Sequence, residues 1–154
     1  MNNLLKHIAI ALSIVTPVMF CSCKSPTTEN KLKPGPVDAP VPPEFQTTES
    51  GLKYRILRAS DGAKPKVTNR VKVHYVGTLD DGTEFDSSYR LGKPATFGLG
   101  QVVAGWTEGL QLVGKGGMIE LEIPPNLGYG LRGSPGSIPP NSTLHFTVEL
   151  LDIR

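Results

Sequence analysis

Beyond residue 23 the chain has no cysteine, because its two cysteines are Cys21 and Cys23. That absence removes a disulfide framework, a thiol nucleophile and a multi-cysteine zinc site from everything downstream. Histidine is nearly as scarce: His7 falls in the first apolar stretch, and His74 and His145 fall on outward positions of alternating segments, so they form no cluster. The chain also lacks G-x-S-x-G, H-E-x-x-H and any paired-carboxylate arrangement. An enzyme built on it works without metal, thiol or an acid–base pair, and no cofactor is expected. Nor is charge of one sign in excess. The whole chain carries a net +2, and with residues 1–23 set aside, where Lys6 is the one charged side chain, fifteen basic groups face fourteen acidic ones. Such balance gives no nucleic-acid footprint.

A membrane-spanning run of about 20 apolar residues is missing as well. In its place stands a shorter stretch, Ile8 to Phe20, behind the basic Lys6. At about 13 residues it reads as the apolar region of an export signal. Both cysteines sit where such a signal is cut. The segment resembles a bacterial lipoprotein signal, in which the cysteine after a small residue receives lipid and becomes the mature N-terminus. Ser22 before Cys23 fits that pattern and Phe20 before Cys21 does not, so residues 1–23 are expected to be the signal and Cys23 the lipidated residue. The alternative is an ordinary cleaved signal or an uncleaved anchor with incidental cysteines. Either way the chain is expected to be exported, and a lipid would hold it on a membrane facing the periplasm or the cell exterior.

Residues 24–46 hold six prolines (Pro26, Pro34, Pro36, Pro40, Pro42, Pro43), three lysines and few large apolar side chains. Proline-rich composition favours extended conformers that bury no core, so this stretch reads as a semi-rigid spacer. Fully extended it would reach on the order of 70 Å. It is too rich in proline to supply a helical dimerisation segment, and a monomer is expected.

From about Thr48 the texture changes to short alternating stretches punctuated by glycine and proline pairs. Val71, Val73 and Tyr75 alternate with Lys72 and His74; Ile119, Leu121 and Ile123 alternate with Glu120 and Glu122; Leu144, Phe146, Val148 and Leu150 alternate with His145, Thr147 and Glu149. Each is a strand with one buried face. Asp81-Gly82 marks a tight turn between extended stretches. The spacing predicts a single short helix over Trp106 to Val113, where Trp106, Leu110 and Val113 share one face. Residues 47–154 therefore form one α+β domain, a sheet packed around a short helix.

Gly128-Tyr129-Gly130-Leu131-Arg132-Gly133 matches the G-x-G-x-x-G nucleotide fingerprint in form. That fingerprint needs a following helix whose N-terminus meets the pyrophosphate, and Ser134-Pro135-Gly136-Ser137-Ile138-Pro139-Pro140 cannot be one. Asn141-Ser142-Thr143 fits a glycosylation acceptor, but behind a bacterial-style signal it reads as a polar loop.

Four blocks carry a more specific signal: VHYVGTLDDG at 73–82, FDSS at 85–88, GWTEGLQLV at 105–113, and IPPNLGYG with SIPPNSTLHFTVELLDI after it. In order and spacing they resemble the FKBP family of prolyl isomerases across nearly all of residues 48–154. The resemblance implies a curved antiparallel β-sheet wrapping one short α-helix, and catalysis of X-Pro rotation without cofactor. It makes Trp106 the floor of an apolar pocket and Tyr75, Phe85, Phe97 and Phe146 its walls. Val102 and Val103 stand beside the floor, with the Val103 N–H as donor to a substrate carbonyl. Asp86 and Tyr129 supply polar contacts at the rim, and Ile138 closes the loop side. The partners implied are proline-containing polypeptides and, by the same pocket, macrolide inhibitors of the FKBP class. Leu91 stands where many members carry an arginine near the pocket acid, with Arg90 adjacent and in reach of Asp86. Ala95, Gly128 and Ser137 also depart from common residues.

Taken singly, these residues keep plainer readings. Tyr75, Phe85 and Phe146 are equally well core aromatics on an inward strand face, Asp86 before Ser87-Ser88 a turn former, and Trp106 a structural start to the helix. Three function classes follow. One is an isomerase acting on exported or folding proteins by desolvating the prolyl bond. A second is a proline-peptide-binding chaperone module without significant turnover, and a third, ranked last, is a purely structural surface lipoprotein that binds no peptide.

Overall fold

A computed structural model describes residues 34–38 and 44–154. The apolar N-terminal stretch and Cys23 lie outside the described residues. Strands β1 (Gln46–Thr47), β2 (Lys53–Arg58), β3 (Arg70–Thr78), β4 (Glu84–Ser87), β5 (Ala95–Gly98), β6 (Met118–Ile123) and β7 (Leu144–Ile153) form one sheet. Every pairing is antiparallel, in the order β1-β2-β6-β7-β3-β4, with β5 on the starting half of β3. The expected architecture, one antiparallel sheet with one short helix, is the one observed.

Strict alternation places the core. Val71, Val73 and Tyr75 of β3, Ile119, Leu121 and Ile123 of β6, and Leu144, Phe146, Val148 and Leu150 of β7 are all buried on one side of the sheet. Against that side packs helix α1 (Ala104–Gly109), which runs on as a 3-10 turn over Leu110–Leu112. The helix therefore starts two residues before Trp106 and tightens before Val113. Its start is set by the Val103 carbonyl, which accepts from the N–H groups of Trp106 and Thr107. Its close approach to β6 needs glycine: a Cβ at Gly105 or Gly109 would lie 2.6 Å from Ile123 or Leu121. Trp106, Leu110 and Val113 all face the core, as their spacing predicts.

The opposite face carries polar pairs. Glu149, outward on β7, accepts from Arg58 at 2.5 Å and from the Tyr89 hydroxyl at 2.9 Å. Part of the proline-rich stretch is seated here. Arg58 also donates to the Pro36 carbonyl at 2.9 Å, the Asp38 N–H donates to Leu57 O at 2.8 Å, and the Ala59 N–H donates to the Asp38 carboxylate at 2.7 Å. Residues 34–38 thus continue the β2 edge beyond β1 and are not a bare spacer. Proline permits this because it loses its donor but keeps its carbonyl as an acceptor.

Burial alone would raise the Glu149 pKa, but the hydrogen bonds from Arg58 and Tyr89, the Arg58 charge and the Gly35 N–H outweigh it and hold the carboxyl below its ordinary value of 4.5. A depressed acid contributes stability that is complete above its unfolded value and is lost as pH falls through the folded one. Glu149→Gln is therefore expected to melt lower at neutral pH, by about 4–8 °C for about 1 kcal/mol. The gap to wild type should close as pH drops below about 4.5. A gap independent of pH in calorimetric scans would remove the ionised Glu149 from the account.

Candidate active site

The inward residues at the β3–β4 end of the sheet, together with α1, surround a cavity of about 460 Å³. Its lining is Tyr75, Phe85, Asp86, Phe97, Gln101, Val102, Val103, Trp106, Tyr129 and Phe146. Nine of these residues are singled out by the sequence, and five separate stretches of the chain bring them together. Gln101, in a 3-10 turn between β5 and α1, has no sequence signal because a lone polar residue before a helix is ordinary. Ile138 is placed elsewhere. It is buried in the core cluster and lines a neighbouring cleft with Leu79, Asp81, Thr83 and Arg132.

Trp106 is the hub of the pocket. Tyr75, Phe97 and Phe146 stand nearly perpendicular to its indole, with centroids 5.2, 5.6 and 5.2 Å away. Phe85 meets Phe146 edge to face at 5.4 Å. Edge-to-face contacts align the positive edge of one ring with the negative face of another and add to the burial energy. The result is a cluster whose rings brace one another and leave an apolar cavity between them.

The polar groups are few, and one pair of them is fixed. Tyr75 donates its phenol to Asp86 Oδ2 at 2.6 Å. Burial first, then the hydrogen bond to Asp86 and its charge, push the Tyr75 pKa well above the ordinary phenol value. The phenol is therefore a donor throughout the neutral range. Tyr129 is the exposed member of the lining, at 44 % exposure, and sits at the mouth. Arg90, placed by the sequence within reach of Asp86, pairs instead with Glu84 at 3.2 Å. The partner that orients Asp86 is Tyr75, not an arginine. Leu91, where an arginine would stand, is exposed.

Among the described residues no cluster of His, Cys, Asp or Glu could hold a metal ion. The site offers an apolar cradle, one oriented carboxylate and a phenol at the mouth. Nothing in it is arranged to make or break a covalent bond. What such a cavity can do is take a nonpolar group out of water and hold an adjoining chain in place.

Comparison with known proteins agrees with this chemistry. The family model described as FKBP-type peptidyl-prolyl cis-trans isomerase matches residues 62–151. The chain is 56 % identical over 111 residues to a "Probable FKBP-type peptidyl-prolyl cis-trans isomerase" of Haemophilus influenzae, covering 72 % of this chain and 46 % of that protein. It is 47 % identical over 125 residues to the "Outer membrane protein MIP" of Legionella longbeachae, covering 81 % of this chain and 50 % of that one. The crystal structure of FkpA from Escherichia coli superposes with a TM-score of 0.71 at 51 % identity, covering 73 % of this chain and 53 % of that one. The chain thus spans about half the length of the curated relatives it matches.

Proposed function

This chain belongs to the FKBP-type peptidyl-prolyl cis-trans isomerase family, and from that premise we propose that its pocket accelerates X-Pro bond rotation in proline-containing polypeptides. The single observation that carries the reading is the convergence of Tyr75, Phe85, Phe97, Trp106 and Phe146 on one cavity with Asp86 held at its edge.

The chemistry follows from amide resonance. Rotation faces a barrier of about 18–20 kcal/mol and takes tens of seconds or more unaided. In the twisted transition state the resonance is lost and charge separation falls, so an apolar enclosure favours it over the planar ground state, which water favours. Trp106 forms the floor on which the prolyl ring rests, and Tyr75, Phe85, Phe97 and Phe146 exclude water from it. Val102 and Val103 complete the apolar surface beside the floor, and the Val103 N–H serves as donor to a substrate carbonyl. Asp86, aimed by the Tyr75 phenol, faces the twisted amide, while Tyr129 and Gln101 hold the flanking chain. The rate gain is differential binding of the twisted form, with each 1.4 kcal/mol worth about tenfold. Macrolides of the FKBP-inhibitor class would occupy the same cavity.

The N-terminal reading supports an exported, lipid-anchored protein: residues 1–23 as signal, Cys23 as the lipidated residue, residues 24–46 as a tether whose residues 34–38 lie along β2, residues 47–154 as a monomeric working domain. The outer-membrane name of the Legionella longbeachae relative is in keeping with that placement. Among the described residues no helix is long and apolar enough to cross a membrane.

The full chain is expected to speed cis/trans exchange of a proline peptide, and Asp86→Ala to slow that exchange several-fold with folding retained. An aggregation assay run on the same two proteins separates the readings. Protection from aggregation without faster exchange would replace the isomerase by a binding module.

A further inference from the structure

Ser88 lies outside the pocket, is 1 % exposed, and meets the Tyr75 backbone through both its N–H and its hydroxyl. Strands β3 and β4 pair Gly77 with Asp86 and Val76 with Ser87, and the next pair would be Tyr75 with Ser88. There β4 has ended. The Ser88 N–H still reaches Tyr75 O at 3.0 Å, but the Ser88 carbonyl has turned away to accept from the Lys93 N–H at 3.3 Å. The buried Tyr75 N–H would be left without an acceptor. The Ser88 hydroxyl takes that place: Oγ accepts from the Tyr75 N–H at 2.7 Å and donates to Tyr75 O at 3.2 Å.

The hydroxyl is itself held from behind. His74 Nδ1 lies 2.9 Å from Ser88 Oγ, a further hydrogen-bonding contact for the hydroxyl. The His74 ring stacks on Tyr89 at 4.6 Å and 16°, and the Tyr89 hydroxyl is tied to Glu149. Ser88 thus fixes Tyr75 from the back of the sheet while the Tyr75 phenol fixes Asp86 at the front.

We propose that Ser88 is a positioning residue for prolyl exchange, its hydroxyl standing in for a missing strand carbonyl so that the Tyr75 phenol meets Asp86 at the pocket edge. The proposal rests on the isomerase reading. Ser88 touches no substrate and acts through Tyr75, so its contribution depends on the Tyr75 hydroxyl.

The test is a double-mutant cycle on kcat/KM in the full chain, with Ser88→Ala, Tyr75→Phe and both together, near-UV circular dichroism confirming the fold of each. Ser88→Ala is expected to lower kcat/KM about fivefold in the wild-type background and less than about twofold beside Tyr75→Phe, because positions that act through one another are not additive. Equal losses in the two backgrounds, or no loss in either, would overturn the proposal. If Ser88→Ala does not fold, Ser88→Cys, which keeps the side-chain shape at slightly larger size with a far weaker hydrogen-bonding group, replaces it in the same cycle, where unequal losses support the role of Ser88 and equal or absent losses overturn it. Wild type without acceleration sinks the isomerase reading, whereas active wild type with an additive cycle sinks the role of Ser88 alone.

Discussion

Gly77→Ala is expected to cost about a hundredfold in kcat/KM for prolyl exchange, the size of loss that follows when reacting groups are displaced by about 1 Å. Gly77 lies on the inward face of β3, paired with Asp86 of β4 on one side and Phe146 of β7 on the other. A Cβ there would sit 2.6 Å from Phe146 Cε1 and 2.7 and 2.9 Å from two atoms of the Phe85 ring. Carbon atoms in contact prefer about 3.5–4.0 Å, so both rings must retreat by about 1 Å. Phe85 and Phe146 brace each other and the Trp106 floor, and the displacement passes to the whole cradle. Overpacking of this kind also destabilises by about 1–3 kcal/mol. The entropy gained by removing a glycine, about 0.4–1 kcal/mol, does not offset it. Kinetics and thermal melts on the purified variant measure both effects. Wild-type activity in Gly77→Ala would mean that close packing of the apolar cradle does not set the rate.

Gly77 also shows where the sequence stops being legible. In VHYVGT nothing sets it apart, and only the folded register brings two rings over it. Strands β3, β6 and β7 can be read because each buries one face, so their side chains alternate with period two. In β2, Lys53–Arg58, five of the six residues are half-buried, which leaves no alternation to find. Strands β4 and β5 have four residues each, too few to show a period. The pocket is readable for a different reason. Its aromatics are implied by the resemblance of whole blocks to the FKBP family, whereas the Ser88 hydroxyl acquires a meaning only once the end of β4 is known. Arg90 illustrates the same limit: adjacency to the Leu91 position suggests Asp86 as partner, and the turn after β4 directs it to Glu84.

Phe85→Ala should lower kcat/KM by about tenfold to a hundredfold, equivalent to about 1.4–2.8 kcal/mol. The figure matches what enclosing one aromatic side chain is worth, about 1.5–3 kcal/mol. Phe85 is only half-buried and packs against the edge of the core, unlike the fully buried Leu121 or Val73. Its loss should therefore open the cavity to water more than it loosens the fold. If desolvation lowers the barrier, the loss appears mainly in kcat, because the ring favours the twisted amide over the planar one, and KM changes little. Phe85→Leu keeps an apolar wall of smaller volume and should retain most of the rate. Equal losses for leucine and alanine would show that ring geometry, not exclusion of water, is what Phe85 supplies. A loss confined to KM would show instead that the pocket holds the ground state and the twisted state alike, which is binding without catalysis.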